Sequence, residues 1–204
     1  MNTITAIETA FNGVKYRSRN EARWGIFLSC LGIEFEYEPE GYEIKIEDET
    51  IRYLPDFFIP KSDRFCQDLY LEIKPSNTDI IISDYDEKKV VLFARYKPIT
   101  ILGSINDYIA NITQLCGVDG GKYSYLWPSE EDQTDASGNK VYICGDCGYL
   151  FCECEHCGRF GFQFDGRSER IKCCARNNGH KVPNFDSKVI MKALEIARAH
   201  RFWK

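Results

Sequence analysis

Hydrophobic and polar positions alternate along LYLEIKP, residues 69–75. Leu69, Leu71 and Ile73 take one face of a β-strand, and Tyr70, Glu72 and Lys74 take the other. The same two-residue period runs through IEFEYEP and YEIKIED, with Pro39 to Gly41 between them. RYLPDFFIP reads as a third strand that starts near an edge or a bend, because Pro55 cannot donate to a ladder and keeps Leu54 extended. PITILGS reads as a short buried strand. Helical spacing covers residues 18–31, SRNEARWGIFLSCL, where Glu21, Trp24, Leu28 and Leu31 share a face, Ser18 can cap the start and Gly32 suits the stop. It returns over 83–96, SDYDEKKVVLFARY, and over a shorter stretch, NDYIANITQL. The tail SKVIMKALEIARAHRFWK puts Ile190, Ala193, Leu194 and Ala197 on one side of a helix. The order is helix, three strands, the E-x-K strand, helix, strand. It predicts an α/β fold: a mixed sheet flanked by helices.

With 204 residues, 44% of them hydrophobic, the chain suits one ordinary domain plus a small appendage. The expected division is a core over 1–126, a linker over 127–140 (WPSEEDQTDASGNK, polar and rich in turn formers) and a cysteine-rich module with a basic C-terminal helix over 141–204. No run of about 18 apolar residues is present, so no membrane span is expected. The start, MNTITAIETAFNG, lacks a basic, then apolar leader, which points to a cytoplasmic protein.

Seven of the ten cysteines lie between 144 and 174. Tight C-x-x-C pairs in an intracellular chain indicate a metal rather than disulfides. Cys30, Cys66 and Cys116 are isolated and read as small buried hydrophobes. The net charge of −5 does not suggest a nucleic-acid binder, but the charge is uneven: residues 159–204 hold 11 Lys and Arg against 4 Asp and Glu. That is the balance of a basic arm on an acidic domain.

Glu72 and Lys74 side by side on one strand face, taken alone, favour an ordinary surface ion pair. Asp56 changes the picture. It lies among Phe57, Phe58 and Ile59 in a strand expected beside 69–74, and an aspartate in an apolar strand is unusual unless paired or bound. A Mg²⁺ ion wants one or two such carboxylates, completed by waters and phosphate oxygens. Glu21 is a third acid on the core side of its helix, although Ser18-x-x-Glu21 is also a capping-box pattern.

Pro55-Asp56, then Glu72-x-Lys74, with the acidic helix carrying Glu21 upstream, resembles the motif set of the PD-(D/E)xK, restriction-endonuclease-like nuclease superfamily. RSRNEARW, EYEPEGYEI, YLPDFFIP, LEIKP, CEHCGRFGFQFDGR and ARAHRFW together are similar to small phage-borne and bacterial proteins of this type, over about residues 16–203. The resemblance implies a metal-dependent endonuclease acting on DNA, with RNA not excluded. Asp56 and Glu72 would hold Mg²⁺ or Mn²⁺, Lys74 would orient or deprotonate the attacking water, and Glu21 would bind through water or help a second ion. Arg17, Arg19 and Arg23, beside Glu21, are candidate phosphate contacts; a solvated helix face explains them as readily. Cutting both strands of a duplex would call for a dimer.

Within the cysteine module, Cys154, Cys157, Cys173 and Cys174 are the first choice for a structural Zn²⁺, because they span a β-hairpin. Cys144, Cys147 or His180 can replace one of the adjacent pair; the Cys144/Cys147 pair and Cys152 depart from the resembled proteins. Arg159, Arg167, Arg170 and Lys172 around that hairpin are candidate contacts to a phosphate backbone. The rival expectation is a catalytically silent nucleic-acid-binding or regulatory protein on the same fold, and an iron–sulfur protein is a third.

Overall fold

A computed structural model describes residues 6–46, 49–66, 68–74, 89–90, 92–93, 97–105, 125–128, 141–143, 149–154, 157–164 and 187–202. The chain enters through a hairpin, β1 (Thr9–Phe11) and β2 (Val14–Tyr16). Its turn is Asn12-Gly13, with both φ values positive at 49° and 80°, as a two-residue hairpin loop that matches strand twist requires. Helix α1 (Arg19–Cys30) follows at once, capped by the Ser18 side chain, which accepts the Glu21 N–H. Gly32, at φ 65°, follows its C-terminal end.

The strands that follow part company. β4 (Tyr42–Ile46) and β5 (Glu49–Tyr53) pair only with each other. β3 (Glu36–Tyr37), β6 (Phe57–Ile59), β7 (Leu69–Ile73) and β8 (Ile99–Leu102) belong to a six-stranded mixed sheet, completed by β9 (Tyr125–Pro128) and β10 (Val141–Ile143) in the order β10-β9-β8-β7-β6-β3. Within this sheet, among the described residues, β7 and β8 pair in parallel and the other neighbours pair antiparallel. A parallel pair needs a crossover; Val90, Leu92 and Phe93, helical in backbone, are buried within it. A last hairpin, β11 (Tyr149–Glu153) with β12 (Phe160–Phe164), precedes helix α2 (Lys188–Ala199).

β7 is covered on both faces. Leu69, Leu71 and Ile73 join a core that includes Trp24, Phe27 and Leu28 of α1, Phe151 and Phe160 of the last hairpin, and Ile190, Ala193, Leu194 and Ala197 of α2. Tyr70, on the other face, packs with Ile44, Ile51, Tyr53, Val90 and Phe93. The terminal hairpin and helix therefore share one core with α1 and the main sheet.

Four sequence expectations change. RYLPDFFIP is two strands, not one: Pro55 lacks an N–H, the chain bends at Leu54–Asp56, and β5 and β6 go to different sheets. IEFEYEP supplies only Glu36–Tyr37 as strand. Residues 127 and 128, read as the opening of a linker, close β9, since YLWP is an apolar run suited to a strand. Cys30, expected to be buried, is exposed at the end of α1. NDYIANITQL, Cys116 and most of 83–96 lie outside the described residues. Among the described residues, no helix is long and apolar enough to cross a membrane.

Candidate active site

β6 and β7 run antiparallel with Phe57 opposite Leu71, and that register, continued one residue, sets Asp56 against Glu72. The Asp56 N–H donates to Leu71 O at 3.1 Å, and Asp56 Oδ2 accepts the Ile73 N–H at 2.6 Å. The side chain is buried, and the Arg17 guanidinium closes on its Oδ1. Arg17 Nε also meets Glu38 Oε1 at 2.6 Å. Glu38 is held at φ 47°, unusual outside glycine and asparagine, with its N–H on Asp56 O at 2.9 Å.

The face shared by Glu72 and Lys74 holds a direct ion pair: Lys74 Nζ lies 2.8 Å from Glu72 Oε1, with side-chain exposures of 17% and 13%. The second Glu72 oxygen accepts the Tyr53 hydroxyl at 2.6 Å. Burial first, then the Glu72 and Glu21 charges, hold the Asp56 carboxyl well above the usual carboxylate range; the Ile73 N–H and the Arg17 guanidinium offset only part of this. Burial and the Glu72 charge likewise keep the Tyr53 phenol protonated far beyond its ordinary range.

Glu21 is buried at the start of α1 and accepts three donors: Ser18 Oγ at 2.7 Å, Tyr37 OH at 2.5 Å and the Arg17 N–H at 3.2 Å. Together with the Glu21 N–H on Ser18 Oγ at 3.1 Å, this is a capping arrangement shifted one residue outward. Asn20, next to it, staples α1 to the strand ends: its Nδ2 donates to Lys74 O at 2.9 Å and Gly103 O at 3.3 Å, and its Oδ1 accepts the Ile105 N–H at 3.2 Å.

The structure thus brings Glu21, Asp56, Glu72, Lys74 and Arg17 into one neighbourhood. Arg23 lies instead over the Phe202 ring, 5.7 Å from its centroid, and feels the Arg19 charge. Arg159 reaches Asp63, with Nη2 at 3.2 Å from Oδ1. Sequence reasoning passed over Tyr37, Glu38, Tyr53 and Asn20. Tyrosines in alternating strands read as packing, and an asparagine one residue past a cap carries no signal of its distant partners.

Cys154 and Cys157 frame a tight knuckle in the last hairpin. The Gly158 N–H donates to Cys154 O at 2.8 Å, the Cys154 N–H donates to Arg159 O at 2.8 Å, and Gly158 takes φ 68°. Cys144, Cys147, Cys173, Cys174, His180, Arg167, Arg170 and Lys172 lie outside the described residues. Among the described residues, no three His, Cys, Asp or Glu side chains converge into a ready-made metal cage.

No protein-family model matches the chain, and no curated protein or solved structure matches it either.

Proposed function

We propose that the protein is a divalent-metal-dependent endonuclease of the restriction-endonuclease-like type, hydrolysing phosphodiester bonds of DNA. The observation that carries the reading is the meeting of buried Asp56 and half-buried Glu72 on adjacent strands, with Lys74 on Glu72. Among the described residues, three buried or half-buried acids, Glu21, Asp56 and Glu72, are met by the cations Arg17 and Lys74, and Glu38 adds a further negative charge. Unbalanced carboxylates in a desolvated place are costly unless a cation joins them.

The donor set fits a hard cation. Mg²⁺ or Mn²⁺ needs oxygen ligands and only one or two carboxylates, so no cage of three is required. Asp56 and Glu72 would hold it, and it would supply Lewis-acid polarisation of the scissile phosphate. Lys74, anchored by Glu72, orients or accepts the proton of the attacking water. Tyr53 and the Ile73 N–H fix the carboxylates, and Glu21 sets the start of α1 against them. Arg17 is the guanidinium nearest to a phosphate docked at Asp56. In the C-terminal segment the Cys154–Cys157 knuckle suits a structural Zn²⁺, since its backbone N–H groups already turn the loop.

One observation favours the silent nucleic-acid-binding alternative: the Asp56 and Glu72 oxygens all have protein donors. Incubating the purified protein with labelled duplex, single-stranded and branched DNA in Mg²⁺ or Mn²⁺, beside Lys74→Ala and an EDTA control, separates the two. Metal-dependent cleavage lost in Lys74→Ala supports the nuclease. Binding without cleavage on every substrate, or equal cleavage by the variant, overturns it.

A further inference from the structure

The loop between the Asp56 strand and the Glu72 strand is tied to the cysteine hairpin. Phe65 bridges Phe160 in parallel fashion. The Phe160 N–H donates to Arg64 O at 2.7 Å, and the Cys66 N–H donates to Phe160 O at 3.0 Å. Arg64 stacks on the Phe160 ring, 5.3 Å from its centroid, and Arg159 pairs with Asp63. This stitching runs directly behind the Cys154–Cys157 knuckle, whose own backbone bond ends on Arg159.

Cys66 therefore comes to lie beside that knuckle although it is 88 positions earlier than Cys154 in number. It is 5% exposed, as is Cys154, whereas Cys157 is open to solvent. Both buried cysteines are held on the same two residues of chain: the Cys154 N–H donates to Arg159 O at 2.8 Å and the Cys66 N–H donates to Phe160 O, the next residue, at 3.0 Å. Packing alone explains a buried cysteine; it does not explain why a C-x-x-C knuckle is brought to it.

We propose that Cys66 is a zinc ligand together with Cys154 and Cys157, so that one zinc ion pins the loop between the two catalytic strands to the C-terminal hairpin. This rests on reading the cysteine segment as zinc-binding. Structural zinc takes four ligands; these three leave one to the rest of the cysteine segment and relieve the need for both adjacent cysteines, Cys173 and Cys174. The three sulfurs do not form a ready-made cage in the structure; zinc would draw the thiolates together on binding and release their protons. The ion then stiffens the chain leading into Glu72 and Lys74.

The full chain, purified without chelator, should carry zinc measurable by elemental mass spectrometry. Cys66→Ser and Cys157→Ser should surrender it to a competing chelator roughly 10-fold or more faster than wild type, and Cys30→Ser, at the exposed end of α1, should not. Co²⁺-substituted Cys66→Ser should lose part of its sulfur-to-metal absorption. Retention and a Co²⁺ spectrum like those of Cys30→Ser would overturn the role of Cys66 while leaving a zinc module in place. Wild-type protein without zinc would overturn both. Because Cys66→Ser can fail to fold, alkylation of wild type decides independently: chelation should expose Cys66 together with Cys154 and Cys157, and continued protection of Cys66 while those two react is the contrary result.

Discussion

The Tyr53 hydroxyl donates a 2.6 Å hydrogen bond to Glu72 Oε2 across the gap between the β4–β5 hairpin and the main sheet. Glu72 is thereby held from both sides, by a phenol that stays protonated and by Lys74. Tyr53→Phe keeps the ring in its cluster with Phe93 and removes only the donor. A hydrogen bond to a charged group contributes about 1.5–3 kcal/mol, and denaturant unfolding should show a loss of that size. If the nuclease reading holds, the variant should also need more Mg²⁺ for half-maximal cleavage, because the carboxylate is free to turn away. An unchanged metal titration would reduce Tyr53 to a packing residue.

Asp56 makes stability depend on pH. Its folded carboxyl binds a proton more tightly than the unfolded one, whose value is about 3.9. Its contribution is therefore full below that unfolded value and is lost as pH rises through the higher folded value. Metal-free protein should lose thermal stability between pH 5 and pH 8, and Asp56→Asn should flatten that slope. Mn²⁺ competes with the proton, so it should raise the melting temperature more at pH 8 than at pH 5. An equal Mn²⁺ shift in Asp56→Asn would place the ion elsewhere.

The pieces of this site that sequence exposes are those with local patterns. Ser18 and Glu21 announce a helix start, Glu72 and Lys74 share a face by alternation, and Asp56 stands out among aromatic neighbours. The pairing of β6 with β7 also follows from proximity in the chain. What alternation cannot show is which sheet a strand joins: β5 and β6 differ by a Pro55 bend, and only tertiary packing sends one to the hairpin and the other to the main sheet. Tyr53 and Asn20 act through partners 19 and 54 or more residues away, a distance at which local residue spacing carries no information. Cys66 looked like an isolated apolar residue for the same reason.

Gly25 is a packing glycine. A Cβ there would come within 2.8 Å of Tyr16 Cζ, in a ring that is itself fully buried and packed at a tilt against Tyr37, with centroids 4.5 Å apart. Alanine in a helix interior gains about 1 kcal/mol over glycine, but overpacking typically costs about 1–3 kcal/mol. With Tyr16 unable to retreat, Gly25→Ala should be net destabilising by thermal unfolding. Tyr16 precedes Arg17, so its displacement should also disturb the Arg17–Asp56 pair. A combined Gly25→Ala and Tyr16→Phe protein should recover part of the loss, since the nearest atom to the new methyl is the Tyr16 hydroxyl.

Asn20 supplies the most discriminating substitution pair. Its amide nitrogen serves Lys74 O and Gly103 O, and its oxygen serves the Ile105 N–H. Asn20→Ala takes this side-chain partner from Lys74 O and the Ile105 N–H, while Gly103 O keeps the Trp24 indole N–H at 2.9 Å, and should destabilise by about 1–3 kcal/mol. Asn20→Asp keeps the acceptor for Ile105 but turns the donor into a charged oxygen facing two carbonyl oxygens, beside the Glu21 helix start. Repulsion is then added to the lost bonds, so Asn20→Asp should unfold at a lower temperature than Asn20→Ala despite its closer shape. The ordering should narrow at acid pH, where protonation of the new carboxyl restores a donor. Equal melting temperatures for the two variants at neutral pH would mean that the amide does not hold the Lys74 end of β7 to α1.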